Sequence, residues 1–251
     1  MGMLAGKVAI ITGGAGGIGK GIALAYAKQG ASVVIVDLCS DKGQQVVREL
    51  KEHSPNVLFI KKDISQPNSA KEIRDETVNR FGKVDVLINN AHASKQALFM
   101  DTDQDMFNLS FNTGFYATVN LMKACYEDLK NSKGSVINFA SGSAIGGQIN
   151  QASYAAAKEA IRGLSRVVAN EWSKDGIRVN LISPIAETEG VKQWRENFPH
   201  QYEEMVGKIP LGRLGDPEQD IGQVAVFLGS EMSHYMTGQT FMVDGGAIKL
   251  Y

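Results

Sequence analysis

Along this chain, short apolar runs rich in Val and Ile alternate with longer stretches whose apolar positions recur every three or four residues. Runs unbroken by charge suit strands buried on both faces, and the wider spacing suits the helices that cover them. Strands are therefore expected at 8–11, 32–36, 57–60, 84–88, 135–139, 177–182 and 240–243. Between them, Ile18, Ile22 and Tyr26 mark a helix closed by Gly30, and Val46, Val47 and Leu50 mark a second, from Ser40 or Asp41 as N-cap to about Glu52. Further helices are expected at 67–81, from the polar segment 101–105 to about Lys130, at 154–174 and at 217–228. Residues 140–151 read as a small-residue loop. Residues 185–210 lack periodicity and read as a lid or insertion, within which Trp194, Phe198 and Tyr202, four apart, read as a helix stripe packing on the domain. Strict strand–helix alternation calls for a parallel sheet with helices on both faces, doubly wound by right-handed crossovers.

The first strand runs into five glycines within seven positions, Gly13, Gly14, Gly16, Gly17 and Gly19, and then into helical spacing. Without Cβ atoms such a turn brings backbone N–H groups close to a phosphate at a helix N-terminus. Gly14-x-Gly16-x-x-Gly19 meets the dinucleotide fingerprint, with Asp37 about twenty residues on, where an acid holds a ribose hydroxyl. Gly14-x-x-x-x-Gly19-Lys20 nearly matches a P-loop, but Gly21 stands where a Ser or Thr should meet Mg²⁺. The expected architecture is thus a single α/β Rossmann-type domain over residues 1–251, with a seven-stranded sheet.

Composition narrows the class of function. A formal net charge of −1 with 43% hydrophobic and 21% charged residues favours neither disorder nor electrostatic binding to nucleic acid. Cys39 and Cys125 form no CxxC pair, and His53, His200 and His234 are scattered, so a metal site has no support. The first strand begins too early for a signal peptide, and no apolar run is long enough to span a membrane, which favours the cytoplasm.

Ligands of open α/β sheets bind beyond the carboxyl ends of the strands. There lie Asp37, Asp63, Asn89, Asn90, Ser141 and Pro184. Tyr154 and Lys158, four apart, share one face of the following helix, and an ammonium beside a phenol should lower its pKa towards neutrality, where it can exchange protons with substrate. Ser141 supplies a hydroxyl to hold the substrate oxygen.

Thr12-Gly13-x-x-x-Gly17-x-Gly19, Asn89-Asn90-Ala91, and Ser141 thirteen residues ahead of Tyr154-Ala-Ala-Ala-Lys158 together resemble the short-chain dehydrogenase/reductase family, as do Pro210-Leu-Gly-Arg-Leu-Gly-Asp-Pro-Glu and Val243-Asp-Gly-Gly near the end of the chain. The resemblance implies that Tyr154 is the general acid/base, that Ser141 orients the substrate oxygen, and that Lys158 holds the nicotinamide ribose and depresses the tyrosine pKa. It implies that Asn112 anchors a water in a proton relay. Gly13, Gly17, Ile18, Gly19, Asp63, Ile64, Asn90 and Thr188 would border the cofactor. It also implies a homotetramer. Two positions depart from the usual pattern: His92 and Ile185 stand where the family usually has glycine, and His92 is a candidate substrate contact. Within the family, Asn89-Asn-Ala-His-Ala-Ser94 and Tyr154 to Arg166 resemble bacterial 12α-hydroxysteroid dehydrogenases, which interconvert a bile-acid hydroxyl and ketone.

Asp37 favours NAD over NADP, because a carboxylate accepts hydrogen bonds from a ribose diol and repels a 2′-phosphate; Lys42 is the residue that would oppose this. The expected activity is therefore NAD-dependent hydride transfer to or from a small secondary alcohol or ketone. Sugar or polyol dehydrogenases and 3-oxoacyl-(acyl carrier protein) reductases are the rival enzymes. A dinucleotide-binding regulator is the non-enzymatic rival, opposed by the retention of Ser141, Tyr154 and Lys158.

Overall fold

The computed structural model describes residues 2–250. Seven parallel strands form one sheet in the order β3-β2-β1-β4-β5-β6-β7. They are β1 (Val8–Thr12), β2 (Ser32–Asp37), β3 (Val57–Lys61), β4 (Val86–Asn89), β5 (Ser135–Phe139), β6 (Arg178–Pro184) and β7 (Thr240–Val243). The chain leaves β1 in one direction to build β2 and β3, then returns to its other side for β4. Sheet order therefore reverses beside β1, and the carboxyl ends of β1 and β4 flank a crevice.

Alternate residues of each strand serve opposite faces. Ala9 and Ile11 of β1, with Val33 and Ile35 of β2, pack under α1 (Gly17–Lys28), α2 (Ser40–Lys51) and α10 (Gln223–Gly229). Ile10, Val34 and Val36 pack under α3 (Ser69–Phe81), α5 (Ala117–Ser132) and α7 (Ala152–Trp172). Burial on both faces is why these strands are apolar without alternation. Beneath the crevice, Asn89 donates to Asn138 (2.8 Å) and Asn138 to Ser165 (2.8 Å), tying β4, β5 and α7 by buried polar bonds.

Several element boundaries differ from those the pattern predicts. Helix α2 starts at Ser40 itself, flanked by Cys39 without a side-chain cap, and α3 starts at Ser69. The helix expected to begin after 105 comprises α4 (Gln104–Ser110), a wide π-turn (Phe111–Tyr116) and α5; Asp103 caps its start through the Met106 N–H (2.8 Å). A second π-turn, Pro217–Gly222, precedes α10. The expected loop 140–151 contains the short helix α6 (Gly142–Ile145), and α7 begins two residues ahead of Tyr154.

Segment 185–210 is also helical, as α8 (Glu189–Asn197) and α9 (Pro199–Gly207). Its three aromatic residues do not form one stripe. Pro199 interrupts the helix, because the residue before a proline is pushed out of the helical region, and Phe198 is left half exposed at the joint. Trp194 and Tyr202 meet across that joint, ring centroids 6.3 Å apart. Among the described residues no helix is long and apolar enough to cross a membrane, and no group of three or more His, Cys, Asp and Glu side chains is placed to hold a metal.

Candidate active site

The glycine turn is held open by bonds to the neighbouring strands. Gly13 donates to the Val36 carbonyl (2.8 Å), and the Thr12 hydroxyl accepts from the N–H groups of Asn90 and Ala91 (both 3.1 Å). Asn90 returns a side-chain bond to the Thr12 carbonyl (2.9 Å). Gly19 is a steric requirement: a Cβ there would lie 2.1 Å from the Gly13 oxygen, so only glycine lets the helix start against the turn. Gly17, at φ +51°, directs its N–H outward, and the N–H donates to the carboxylate of Glu189 on α8 (3.1 Å). That carboxylate is a stand-in anion, and it shows that the turn accepts negative charge where a pyrophosphate would sit. Thr188 caps α8 through the Val191 N–H (3.4 Å) and places its methyl group against Gly17. Ile18 packs on the core beside this turn.

Asp37, ending β2, accepts from the Ala15 N–H and the Cys39 N–H, both at 3.1 Å. These bonds aim the carboxylate across the mouth of a cleft of about 310 Å³ lined by Gly13, Asp37, Asp63, Ile64, Asn90, His92 and Thr113, among others. Asp63 serves its own turn as well, accepting from the Ser65 N–H (2.9 Å) and hydroxyl (2.7 Å) and from Gln66 (3.1 Å); the Ser65 bonds hold its carboxyl below the usual range. The glycine cradle, the acid at the end of β2 and the cleft between them fit a dinucleotide.

Ser141, Tyr154 and Lys158 come together beyond β5 and at the head of α7. Ser141 is 7% exposed, and its hydroxyl lies 2.8 Å from that of Ser143, which donates to the Gln151 amide oxygen (2.9 Å). Ser143 spends its proton on Gln151 and can accept from Ser141, so the single Ser141 proton has two takers, the Ser143 oxygen and the Tyr154 oxygen. Lys158 is 4% exposed and donates to the Phe139 carbonyl (3.2 Å), with Nζ 5.7 Å from the centre of the Tyr154 ring.

The electrostatics depart from the expectation that Lys158 lowers the tyrosine pKa. Burial raises the Tyr154 phenol above its ordinary value, and the Ser141 hydroxyl offsets part of that rise. Burial also pushes Lys158 down, to about 8. Desolvation disfavours the charged form of each residue and outweighs their mutual attraction in the free chain.

Asn112 is exposed and makes no side-chain hydrogen bond among the described residues. Its neighbours reach the site instead. Thr113 bonds both the N–H (3.0 Å) and the carbonyl (3.1 Å) of Ala93, and Ser110, fully buried, lies 2.7 Å from His92 Nε2. The His92 ring is stacked on Tyr154, centroids 5.0 Å apart and planes inclined by 21°. Sequence reasoning missed Ser143 and Gln151, which orient Ser141, and Glu189, which meets the glycine turn. Ser143 had a signal in its spacing of two residues from Ser141; Glu189 had none, because its contact spans 172 positions.

Comparison with known proteins agrees with this arrangement. A family model described as Enoyl-(Acyl carrier protein) reductase matches residues 13–247. The chain is 46% identical over 255 residues to a 12alpha-hydroxysteroid dehydrogenase from a Clostridium species, covering 98% of each chain. It is 38% identical to an L-rhamnose-1-dehydrogenase of Scheffersomyces stipitis (98% of this chain, 97% of that one) and 36% identical to a 3-oxoacyl-[acyl-carrier-protein] reductase of Chlamydia pneumoniae (97% of each). A solved structure described as a short-chain alcohol dehydrogenase from Sinorhizobium meliloti superposes with a TM-score of 0.88 at 27% identity over 97% of both chains.

Proposed function

Because the chain belongs to the short-chain dehydrogenase/reductase family, oxidoreductases acting on CH–OH groups, we propose that it is an NAD-dependent dehydrogenase of a 12α-hydroxysteroid. The observation that carries the chemistry is the convergence of Ser141 and Lys158, both buried, with the partly buried Tyr154, beside a cleft fit for a dinucleotide. The bound nicotinamide supplies the acceptor or donor of the hydride. Ser141 turns its proton to the substrate oxygen and holds that oxygen at hydrogen-bond distance from Tyr154. In oxidation the alcohol proton passes to the Tyr154 oxygen in its deprotonated, phenolate form while the carbinol hydrogen leaves with its electron pair; in reduction the Tyr154 phenol gives its proton to the carbonyl oxygen. Lys158 holds the nicotinamide ribose and, when charged, favours the phenolate.

Gly13, Gly17, Ile18, Gly19 and Thr188 hold the pyrophosphate side of the cofactor, Asp63 and Ile64 the adenine, and Asn90 the floor of the cleft. Asp37 supports NAD: its carboxylate, fixed by two N–H donors, faces a ribose diol well and a 2′-phosphate badly. The steroid assignment rests on the 46% relative over nearly the full chain. Sugar and 3-oxoacyl relatives keep those substrate classes as the second reading. A single domain working as a cytoplasmic homotetramer completes the proposal, with size-exclusion chromatography and light scattering as its check.

The test is NADH formation with deoxycholate, which carries a 12α-hydroxyl, against chenodeoxycholate, which lacks it. Turnover of deoxycholate alone, lost in Tyr154→Phe, is expected. Turnover of neither removes the steroid from the proposal, undiminished activity in Tyr154→Phe refutes the acid/base assignment, and absence of turnover with steroid, sugar and 3-oxoacyl substrates alike opens the regulator reading.

A further inference from the structure

We propose that His92 is a positioning residue for Tyr154: its imidazole, locked by Ser110 and admitted by the missing side chain of Gly114, walls one face of the phenol from water and fixes the plane of its ring. The inference rests on the reading of Tyr154 as the acid/base.

Three contacts define the ring. On one side it stacks on Tyr154 at 5.0 Å. At its far edge Nε2 lies 2.7 Å from the Ser110 hydroxyl. Behind it is Gly114, where a Cβ would fall 3.1 Å from both Cε1 and Nε2 of the imidazole, tighter than a side chain accepts without the ring moving. Gly114 lies in the π-turn Phe111–Tyr116, and one extra residue in a helical turn is a device that re-aims the positions around it, often at functional sites. Here it sets Ser110 and Gly114 against the same imidazole.

Packing alone does not account for a histidine at this place. Nδ1 is buried and without a partner among the described residues, and an apolar ring would fill the space without that cost. The ring is also neutral throughout the working range, since burial and the Lys158 charge push its pKa down to about 3. It can therefore lie against the phenol without placing a second cation beside Lys158. The titratable groups recorded against the phenol are Lys158 on its own helix and His92 from the segment after β4; Ser141, from the end of β5, adds a hydroxyl.

The test titrates Tyr154 directly, so that it needs no substrate. Ultraviolet difference titration against Tyr154→Phe isolates this phenol among seven tyrosines. It is run on the wild type, His92→Ala, His92→Phe and Gly114→Ala, with melting curves and NADH fluorescence titrations for each. In His92→Ala water reaches the phenol, and its titration is expected to move down toward the ordinary tyrosine value as desolvation is relieved. His92→Phe keeps a ring against the phenol but loses the Ser110 bond that locks it, and should titrate between the wild type and His92→Ala. Gly114→Ala, which shifts the ring without removing it, should lie between.

With deoxycholate as probe, kcat in His92→Ala should drop roughly tenfold or more, with NADH affinity held within a few-fold. A Tyr154 titration unmoved in both His92→Ala and Gly114→Ala overturns the proposal, whatever the melting temperatures do. If His92→Ala fails to fold, Gly114→Ala decides alone. Activity retained in Tyr154→Phe is a separate failure, that of the acid/base assignment.

Discussion

Glu189 offers a prediction that tests the glycine turn without requiring catalysis. Its carboxylate takes the Gly17 N–H at 3.1 Å, at the glycine turn where a pyrophosphate should dock. A dinucleotide must displace the carboxylate and then tolerate it a few ångströms away. Two unit charges about 6 Å apart repel by ~0.7 kcal/mol in bulk water and by twice that at half the dielectric constant. Because Glu189 is solvent-exposed, the watery limit applies; Gln can still accept from Gly17 through its neutral oxygen, so only the charge is removed. Glu189→Gln should therefore bind NADH roughly threefold to tenfold more tightly. Gln keeps the length of the side chain and leaves Thr188 to cap α8. Fluorescence titration at about 0.01 M and about 1 M salt, where the screening length falls from ~30 to ~3 Å, separates charge from shape. The gain should be large at low salt and nearly vanish at high salt. Equal or weaker binding in Glu189→Gln, or a gain indifferent to salt, would refute the reasoning.

Other predictions follow from the same geometry. Lys158 is charged up to about 8 in the fold but up to about 10.5 when unfolded, so the unfolded chain binds the extra proton between those values and stability rises with pH across that window. The penalty is fully present below about pH 8, so Lys158→Met should stabilise the fold at pH 7 by up to about 3 kcal/mol, read as a rise in melting temperature that shrinks towards pH 10, while abolishing turnover. Equal melting temperatures at pH 7 would contradict it. Asp37→Asn should weaken NADH binding about tenfold and narrow the preference over NADPH, measured as the ratio of kcat/KM for the two. Gly19→Ala, which sets a methyl group 2.1 Å from the Gly13 oxygen, should lose dinucleotide binding in a fluorescence titration; retained affinity would mean that the turn is not the phosphate seat.

The parts of this molecule that the sequence makes legible are those where one local cause acts alone. Strands β1 and β2 stand out because burial on both faces demands an unbroken apolar run, and Asp37 stands out because it follows the glycine turn by about twenty residues at a strand end, although its bond from the Cys39 N–H also makes it a turn residue. Element starts were less legible. Ser40 looks like a cap by composition, yet the chain enters α2 one residue earlier, and nothing in the local pattern separates a cap from a first-turn residue.

The segment after Asp103 shows the limit most clearly. A period of 3.6 residues assigns faces to Ser110, Asn112 and Gly114, but the π-turn at Phe111–Tyr116 adds a residue to the winding and rotates everything after it. Asn112, the side chain richest in hydrogen-bonding groups, is thereby left exposed, while Ser110 and the side-chain-free Gly114 face His92. The same turn explains why glycine stands at 114: once His92 occupies the space against Tyr154, any side chain at that position would meet the imidazole. His92 and Gly114 are thus one structural decision made at two places 22 residues apart, and reading either alone from sequence finds only a lone histidine and a lone helix-weakening glycine.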